Sequence, residues 1–374
     1  MAADKLRVLT VLGTRPEAVK LAPVIQRLAG SDQVESTVCV TAQHRQMLDI
    51  VLALFDIVPH VDLDLMQPDQ SLAELTAAVC QGLDPVFLQV KPDWVLVQGD
   101  TTTVMAAGLL AYYHRVRLGH VEAGLRTGDK WQPFPEEINR RLAGVLADLH
   151  FAPTETAKRN LLVEGMDPAS VHVTGNPVID ALQSIVARPH EFHHAALADL
   201  AVDRRLVLLT AHRRESFGPG LEAIFGAVRR LADAFPDQLD VVYPVHLNPQ
   251  VQEPARRLLA GCDNIHLIEP LDYLDMVHLM KASHLILTDS GGIQEEAPAL
   301  GVPVLVLRDK TERPEALEAG TAKLVGTDPD RIFETASRLL RDDDEHAAMA
   351  QAKNPFGDGR AAERIVDLLL QQPR

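Results

Sequence analysis

The sequence predicts an α/β protein made of two doubly wound parallel-sheet halves. Three observations predict it. Short runs rich in Val, Leu and Ile alternate with helical patterns along nearly the whole chain, which is the signature of βαβ units covered on both faces. The alternation breaks once, near 178–204, and then resumes as a second series. The chain has 374 residues, 47% of them hydrophobic, enough for two large buried cores.

In the first series, "LRVLTVLGT" (6–14) is a strand and "PEAVKLAPVIQRLA" the helix after it. "VESTVCVTA" (34–42), "DWVLVQGD" (93–100), "VRLGHVEA" (116–123) and "LHFAPT" (149–154) continue the strands, with helices at 71–90, 101–113 and 135–147. The stretch 178–204 includes "RPHEFHHAALADLAVDRR". It is charged, irregular and without strand signals, and it carries the interdomain connection. The second series places strands at 205–211, 239–245, 264–270, 284–290, 303–309 and 322–326. Residues 329–372 read as two helices split at "NPFGDG" (354–359). In such sheets ligands bind outside the carboxyl ends of the strands, so a site is expected in the cleft between the two Rossmann-like halves.

Composition narrows the function. A formal net charge of −16 argues against a nucleic-acid or anionic-membrane surface. Cys39, Cys80 and Cys262 are scattered, with no CxxC pair, as expected in a reducing cytoplasm. The N-terminal apolar stretch is too short for a signal h-region, and no run approaches the ~18 apolar residues of a membrane span. Two metal-like patterns read otherwise. "VDLDL" (61–65) reads as a strand with one wet face. His190, His193 and His194 have no carboxylate or cysteine set to complete a site, and read as a solvated linker. Neither GxGxxG nor a Walker motif is present.

Chemistry gathers at the strand ends. In "GTRPE" (13–17), Thr14 and Glu17 have capping-box spacing and Pro16 suits a first helical turn. Arg15 opposes the helix dipole there, so an anionic partner is expected. Asp100 in "QGDTTT" is an N-cap or a working carboxylate. Glu122 ends a strand with no helix directly after it. Glu136 and Glu137 open a helix, where dipole and i,i+4 pairing with Arg140 and Arg141 also explain them. Carboxylates converging at neighbouring strand ends suit acid/base work, because like charges push their pKa values apart. In the second half, His212 begins a His-Arg-Arg cluster suited to a phosphate. In "LTDSGGIQEEAP", Gly291 and Gly292 let backbone approach a ligand, Ser290 caps or donates, and the helix from Ile293 points N–H groups at an anion. Glu296 is placed to accept from sugar hydroxyls, and Arg313 to close the other side.

The set "GTRPEAVKLAP", "TAQHRQML", "GDTTT", "GHVEAGLRTGD", "PEEINRR", "TGNPVIDAL", "HRRESFG", "LTDSGGIQEEAP" and "TERPEA" resembles the non-hydrolysing UDP-N-acetylglucosamine 2-epimerase family, from about residue 6 to 359. The resemblance implies a GT-B architecture. Residues 1–178 would form an N-terminal Rossmann-like domain with the catalytic carboxylates. Residues 179–355 would form a UDP-binding domain, and 356–374 a helix returning to the first. It implies a cytoplasmic homodimer needing no metal or redox cofactor, with a nucleotide-sugar as its small-molecule partner. Arg15, Lys20, Asp100, Glu122 and His212 would line the substrate site, with Asp100, Glu122, Glu136 and His212 catalytic. Ser290, Gly291, Gly292, Glu296 and Arg313 would hold UDP, Glu296 taking the ribose hydroxyls.

Gln43 and Gln46 match a site where some relatives bind a second substrate molecule as activator. The arginine that helps form that site aligns with Asp69, whose carboxylate would repel phosphates. Leu271 stands where relatives often carry a glutamine near the nucleotide, leaving only a backbone contact to the base. A hydrolysing epimerase, a GT-B glycosyltransferase and a non-catalytic nucleotide-sugar sensor are the rival readings. The presence of all three carboxylates argues against the sensor.

Overall fold

The computed structural model describes residues 5–41, 45–67, 69–192, 194–198 and 203–373, without the side chains of 45–47, 195 and 198. The chain divides into two compact units, Met1–Ala181 with Phe356–Arg374, and Leu182–Pro355.

Among the described residues, unit one holds seven parallel strands: β1 (Leu6–Leu12), β2 (Val34–Val40), β3 (Val61–Asp62), β4 (Trp94–Gln98), β5 (Arg117–Val121), β6 (Leu149–Ala152) and β7 (Val171–Val173). Their order is β3-β2-β1-β4-β5-β6-β7. The helices are α1 (Arg15–Ala29), α2 (Arg45–Leu54), α3 (Leu72–Val90), α4 (Thr102–Tyr113), α5 (Glu136–Leu146), α6 (Glu155–Val163) and α7 (Pro177–Val186). Central strands buried on both faces need unbroken apolar runs. Val8, Leu9, Val11 and Leu12 of β1 and Val95, Leu96 and Val97 of β4 are accordingly buried. Packing is tight enough to require glycine behind Glu122. Gly124 has φ +91, and a Cβ there would stand 2.2 Å from the Ala157 carbonyl oxygen.

Unit two repeats the plan with β8 (Arg205–Thr210), β9 (Leu239–Pro244), β10 (Ile265–Ile268), β11 (Leu285–Thr288), β12 (Val304–Val306) and β13 (Ala322–Leu324), in the order β10-β9-β8-β11-β12-β13. Its helices are α8 (Ala195–Ala198), α9 (Pro219–Ala234), α10 (Pro249–Leu259), α11 (Tyr273–Ala282), α12 (Gly291–Glu296), α13 (Pro314–Glu318), α14 (Pro329–Arg341) and α15 (Asp343–Ala350). α14 shows the amphipathic logic plainly: Ile332, Ala336, Leu339 and Leu340 are buried while Arg331, Arg338 and Arg341 are exposed.

The last helix, α16 (Ala361–Leu370), belongs to unit one and packs on α1. Its free N-terminal amides are taken by Asp180 of α7, which accepts from Ala361 N at 3.1 Å and Ala362 N at 2.9 Å. In each sheet the order reverses beside the first strand of the series, at β1/β4 and β8/β11. The carboxyl ends of these strands are where a doubly wound sheet places its ligand.

Several expectations need correction. The C-terminal stretch forms three helices rather than two, because Asp342 leaves helical geometry (φ −105, ψ 96) and caps Glu345 N at 2.9 Å. The stretch 178–204 is not wholly irregular, since α7 runs through its first nine residues and across the Ala181–Leu182 boundary. "VDLDL" gives a strand of only two residues, then an Asx turn in which Asp64 N donates to Asp62 Oδ1 at 3.2 Å. His190 is not a solvated linker residue: it is packed in unit two, bonded to Asp275 Oδ1 at 2.7 Å and stacked on His278. His193 lies outside the described residues.

Candidate active site

Unit one brings its polar groups together where β1, β4 and β5 end. The capping box at α1 forms as its spacing predicts. Gly13 N and Thr14 N donate to Glu17 Oε2 at 2.8 and 2.6 Å, and Thr101 Oγ1 donates to Glu17 Oε1 at 2.7 Å. Burial pushes the Glu17 carboxyl above its usual range, and these hydrogen bonds oppose the shift. Glu17 is thereby tied into the turn. Arg15, at the first position of α1, is exposed and makes no ion pair among the described residues.

Glu122 follows β5 directly and sits in the left-handed region at φ 62. Such backbone in a non-glycine residue costs on the order of 1–3 kcal/mol and persists only where surroundings impose it. Here three donors impose it. Lys20 Nζ reaches Glu122 Oε1 at 2.5 Å, Asn176 Nδ2 reaches the same oxygen at 2.9 Å, and Gln98 Nε2 donates to Oε2. Glu122 is 7% exposed. Lys20 comes from α1, Gln98 from β4 and Asn176 from the turn before α7, so the carboxylate is held from three elements at once.

Asp100 stands two residues beyond β4. It is not the N-cap of α4, because Thr101 takes that role and accepts from Val104 N at 3.3 Å. The Asp100 carboxyl is free for other work and pairs with the Arg140 guanidinium. Its carbonyl accepts from Asn139 Nδ2 at 3.0 Å. Burial raises its carboxyl above the usual range. Arg140 opposes the shift, the nearby charge of Glu122 adds to it, and Lys20 opposes it weakly. Behind this turn, the buried His120 bonds to Gly99 O through Nε2 at 2.7 Å. Burial pushes the His120 pKa down to about 4, so the ring is neutral and donates there.

α5 divides its two leading glutamates. Glu137 is fully buried and accepts from Thr127 N and Gly128 N at 3.1 and 3.3 Å, and it pairs with Arg141 at 3.2 Å and Arg140 at 3.5 Å. Glu136 is half-buried and makes no ion pair among the described residues. The expected i,i+4 pairing of Glu136 with Arg140 is not formed, because Arg140 turns to Asp100 and Glu137 instead.

Unit two builds a different surface where β8 and β11 end. Asp289 is fully buried, and its Oδ2 accepts from His212 N and Arg213 N, both at 2.7 Å. His212 Nδ1 lies 3.5 Å from Asp289 Oδ1, and the His212 ring stacks on His246. Burial lowers the His212 pKa, with Asp289 opposing and His246 and Arg213 adding to the fall. Ser290 is the N-cap of α12 by position, but its hydroxyl makes no capping hydrogen bond. The first amides of α12 are left to an outside acceptor. A Cβ on Gly291 would lie 3.8 Å from an Arg213 guanidinium nitrogen and 4.0 Å from one of Arg313. The Glu312 carboxylate lies as near, at 3.8 Å, so two cations, one carboxylate and a helix N-terminus face the same few ångströms. Arg313 is steadied by Glu295, and Glu296 accepts from Tyr273 Oη at 3.1 Å.

The structure therefore clusters Lys20, Asp100 and Glu122 in unit one, and His212, Ser290, Gly291 and Arg313 in unit two, with Glu296 at the far end of α12. It leaves Arg15 and Glu136 without charged partners among the described residues. Gln43 lies outside the described residues. Gln46 falls in α2, with its side chain undescribed. Asp69 is exposed, with φ 56. Sequence reasoning missed Gln98, Arg140, Asn176 and Asp289. Arg213 lay inside the His-Arg-Arg run already singled out, and the available signal for Asp289 was its place directly before Ser-Gly-Gly. The partners of Asn176 and Gln98 had no local signal.

A profile of the UDP-N-acetylglucosamine 2-epimerase family matches residues 26–370. The UDP-N-acetylglucosamine 2-epimerase of Bacillus subtilis is 54% identical over 366 residues, covering 98% of this chain and 95% of that protein. That of Escherichia coli K12 is 53% identical over 370 residues, covering 97% and 98%. Among solved structures, the UDP-GlcNAc 2-epimerase of Neisseria meningitidis bound to UDP-GlcNAc superposes with TM-score 0.90 at 49% identity, covering 98% of this chain and 100% of that one. The Methanocaldococcus jannaschii enzyme in complex with UDP-GlcNAc and UDP gives 0.80 at 34%, with the same coverage.

Proposed function

Because the chain belongs to the UDP-N-acetylglucosamine 2-epimerase family, an isomerase family, we propose that it interconverts UDP-N-acetylglucosamine and UDP-N-acetylmannosamine without net hydrolysis. The route is elimination of UDP to 2-acetamidoglucal and re-addition.

The C2 proton of the sugar has no carbonyl beside it and is a poor acid. Breaking the C1–O bond builds positive charge at C1 and makes that proton removable. The electron pair of the C1–O bond leaves on the β-phosphate oxygen, a carboxylate takes the C2 proton, and a C1–C2 double bond remains. In re-addition the diphosphate oxygen returns to C1 and a proton is delivered to C2 on the opposite face. Unit two is assigned the departing UDP. The amides opening α12, with Arg213, Arg313 and His212, stabilise the growing diphosphate charge, and Glu296 takes the ribose hydroxyls. Unit one is assigned the proton transfers, by Asp100 and Glu122 with Glu136 in support. Arg15, an exposed cation at a helix start, is assigned to the substrate anion.

The observation that carries this reading is the contrast between the two central carboxylates. Glu122 is held by a lysine and two amides, whereas burial and the charge of Glu122 push Asp100 upward. Neighbouring acids in unequal surroundings suit one proton acceptor and one donor. The reaction also needs the intermediate retained from water until recombination.

We further propose a homodimer. α5 exposes Ile138, Leu142 and Val145 at helical spacing, and α4, packed beside it, exposes Tyr112 and Tyr113. No helix among the described residues is long and apolar enough to cross a membrane. The free cysteines support a reducing cytoplasm, and the product a role in cell-surface polysaccharide synthesis.

Incubation with UDP-N-acetylglucosamine alone in D2O, followed by proton NMR, tests the reading. Deuterium enters C2 of both intact UDP-sugars. Release of free N-acetylmannosamine with UDP would establish the hydrolysing alternative. Absence of any C2 exchange would overturn the epimerase reading.

A further inference from the structure

Asn176 is buried, 1% exposed, and besides accepting from Ile179 N at its carbonyl (3.1 Å) it puts three other polar groups to three different tasks. Its backbone N–H donates to Phe356 O at 2.7 Å. Its Oδ1 accepts from Val178 N at 3.2 Å, opening α7. Its Nδ2 donates to Glu122 Oε1 at 2.9 Å. The first two bonds locate the residue. α7 is the segment along which the chain passes from unit one to unit two, and Phe356 is where it returns. The two segments meet closely enough to demand glycines. Gly175 (φ +86) and Gly357 (φ +138) lie back to back, and a Cβ on Gly175 would stand 3.2 Å from Gly357 Cα.

We propose that Asn176 is a positioning residue for the reaction: its amide, fixed by the joint between the outgoing and returning chain, aims the Glu122 carboxylate at the sugar. The inference rests on the catalytic role proposed above for Glu122.

Three features support it. Glu122 sits in left-handed backbone that its own sequence disfavours, so outside bonds must set its direction. Lys20 already supplies a positive charge to Oε1, so a second donor on that oxygen adds direction without adding charge. An amide at the first turn of α7 is more than a cap requires, since a serine hydroxyl serves that role equally well. Only a side chain as long as asparagine also presents a donor to Glu122.

Two substitutions separate positioning from capping. Asn176→Ser keeps the cap and loses the reach to Glu122. Asn176→Asp keeps the cap and the size, and sets a carboxylate against Glu122. A hydrogen bond to a charged group is worth roughly ten- to a hundredfold in rate. Asn176→Ser should therefore lower kcat for C2 exchange about ten- to hundredfold with KM within threefold, and Asn176→Asp should lower it further. UDP affinity by calorimetry should stay within twofold, and Tm should hold. Should Asn176→Asp fail to fold, Asn176→Ser decides alone. An Asn176→Ser enzyme with kcat within twofold of the wild type overturns the proposal. So does one that loses Tm and UDP affinity together with turnover, since that marks a merely structural amide. Wild-type protein measured alongside separates the two failures. If it exchanges C2 and the serine variant matches it, only the role of Asn176 falls; if it does not exchange, the epimerase reading falls with it.

Discussion

The two units present opposite materials at the ends of their central strands. Unit one presents side chains: a carboxylate in strained backbone, gripped by Lys20, Gln98 and Asn176, beside a second carboxylate gripped by Arg140. Unit two presents main chain, the uncapped first turn of α12 after a buried Asp289 that organises His212 and Arg213. The difference fits the tasks proposed for them. A diphosphate is large, permanently charged and indifferent to a few tenths of an ångström, so amides and guanidiniums on a glycine turn suffice. A proton moves only between atoms already in hydrogen-bond reach, so its acceptor must be fixed from several sides.

The sharpest way to break the comparison is Glu122→Gln. It removes the proposed proton acceptor while keeping the size of the side chain, and it also removes the Lys20 ion pair and turns one amide group toward the donors on Glu122. Turnover should fall on the order of a thousandfold, while UDP, assigned above to unit two, should bind within twofold of wild type by calorimetry. Near-normal turnover would take Glu122 out of the catalytic set.

A second test uses acid. His120 and His150 are buried in unit one, and burial pushes both to about 4. In the unfolded chain each binds a proton near pH 6.5. Between those values the unfolded state holds more protons than the folded one, so stability present above pH 6.5 is lost as pH falls toward 4. The loss is up to about 3 kcal/mol for each ring. Urea unfolding at a series of pH values should show this slope, and His120→Gln with His150→Gln should flatten it. An unchanged slope would mean that other groups govern acid lability.

The smallest expected effect concerns Gly291. A Cβ there meets Arg213, Glu312 and Arg313 only at 3.8–4.0 Å, ordinary contact, so Gly291→Ala should leave Tm unchanged. The methyl nevertheless occupies the space the guanidiniums face, and UDP affinity should fall about tenfold, or roughly 1.4 kcal/mol. Unaltered affinity would place the diphosphate elsewhere.

Much of the scaffold was legible because its signals are local. The apolar runs that became β1, β4, β5, β8 and β11 each end where a candidate site residue follows, and Thr14 with Glu17 announced α1 by spacing alone. Glu122 stood out as an acid after a strand with no helix to cap. What stayed hidden depends on sheet order. Gln98 and Glu122 are neighbours because β4 pairs with β5, and Asn176 reaches Glu122 across 54 positions of sequence. No pattern of 2.0 or 3.6 residues encodes such a meeting. Asp100 is the instructive intermediate: its position before three threonines fits a cap, and only the structure shows that Thr101 takes the cap and leaves the acid for Arg140. His190 misled for the opposite reason, since a charged, Pro-containing segment conceals one residue that finds Asp275.

The return of α16 to unit one bears on how the protein is made. Unit two is one continuous stretch, Leu182–Pro355, and can close as soon as the ribosome has released it. Unit one cannot. Its helix α1 lacks its neighbour, and Asp180 lacks the amides it caps, until residues near 370 have emerged. The earlier-made half is thus the last to be finished, and it waits for most of translation with an apolar helix face uncovered.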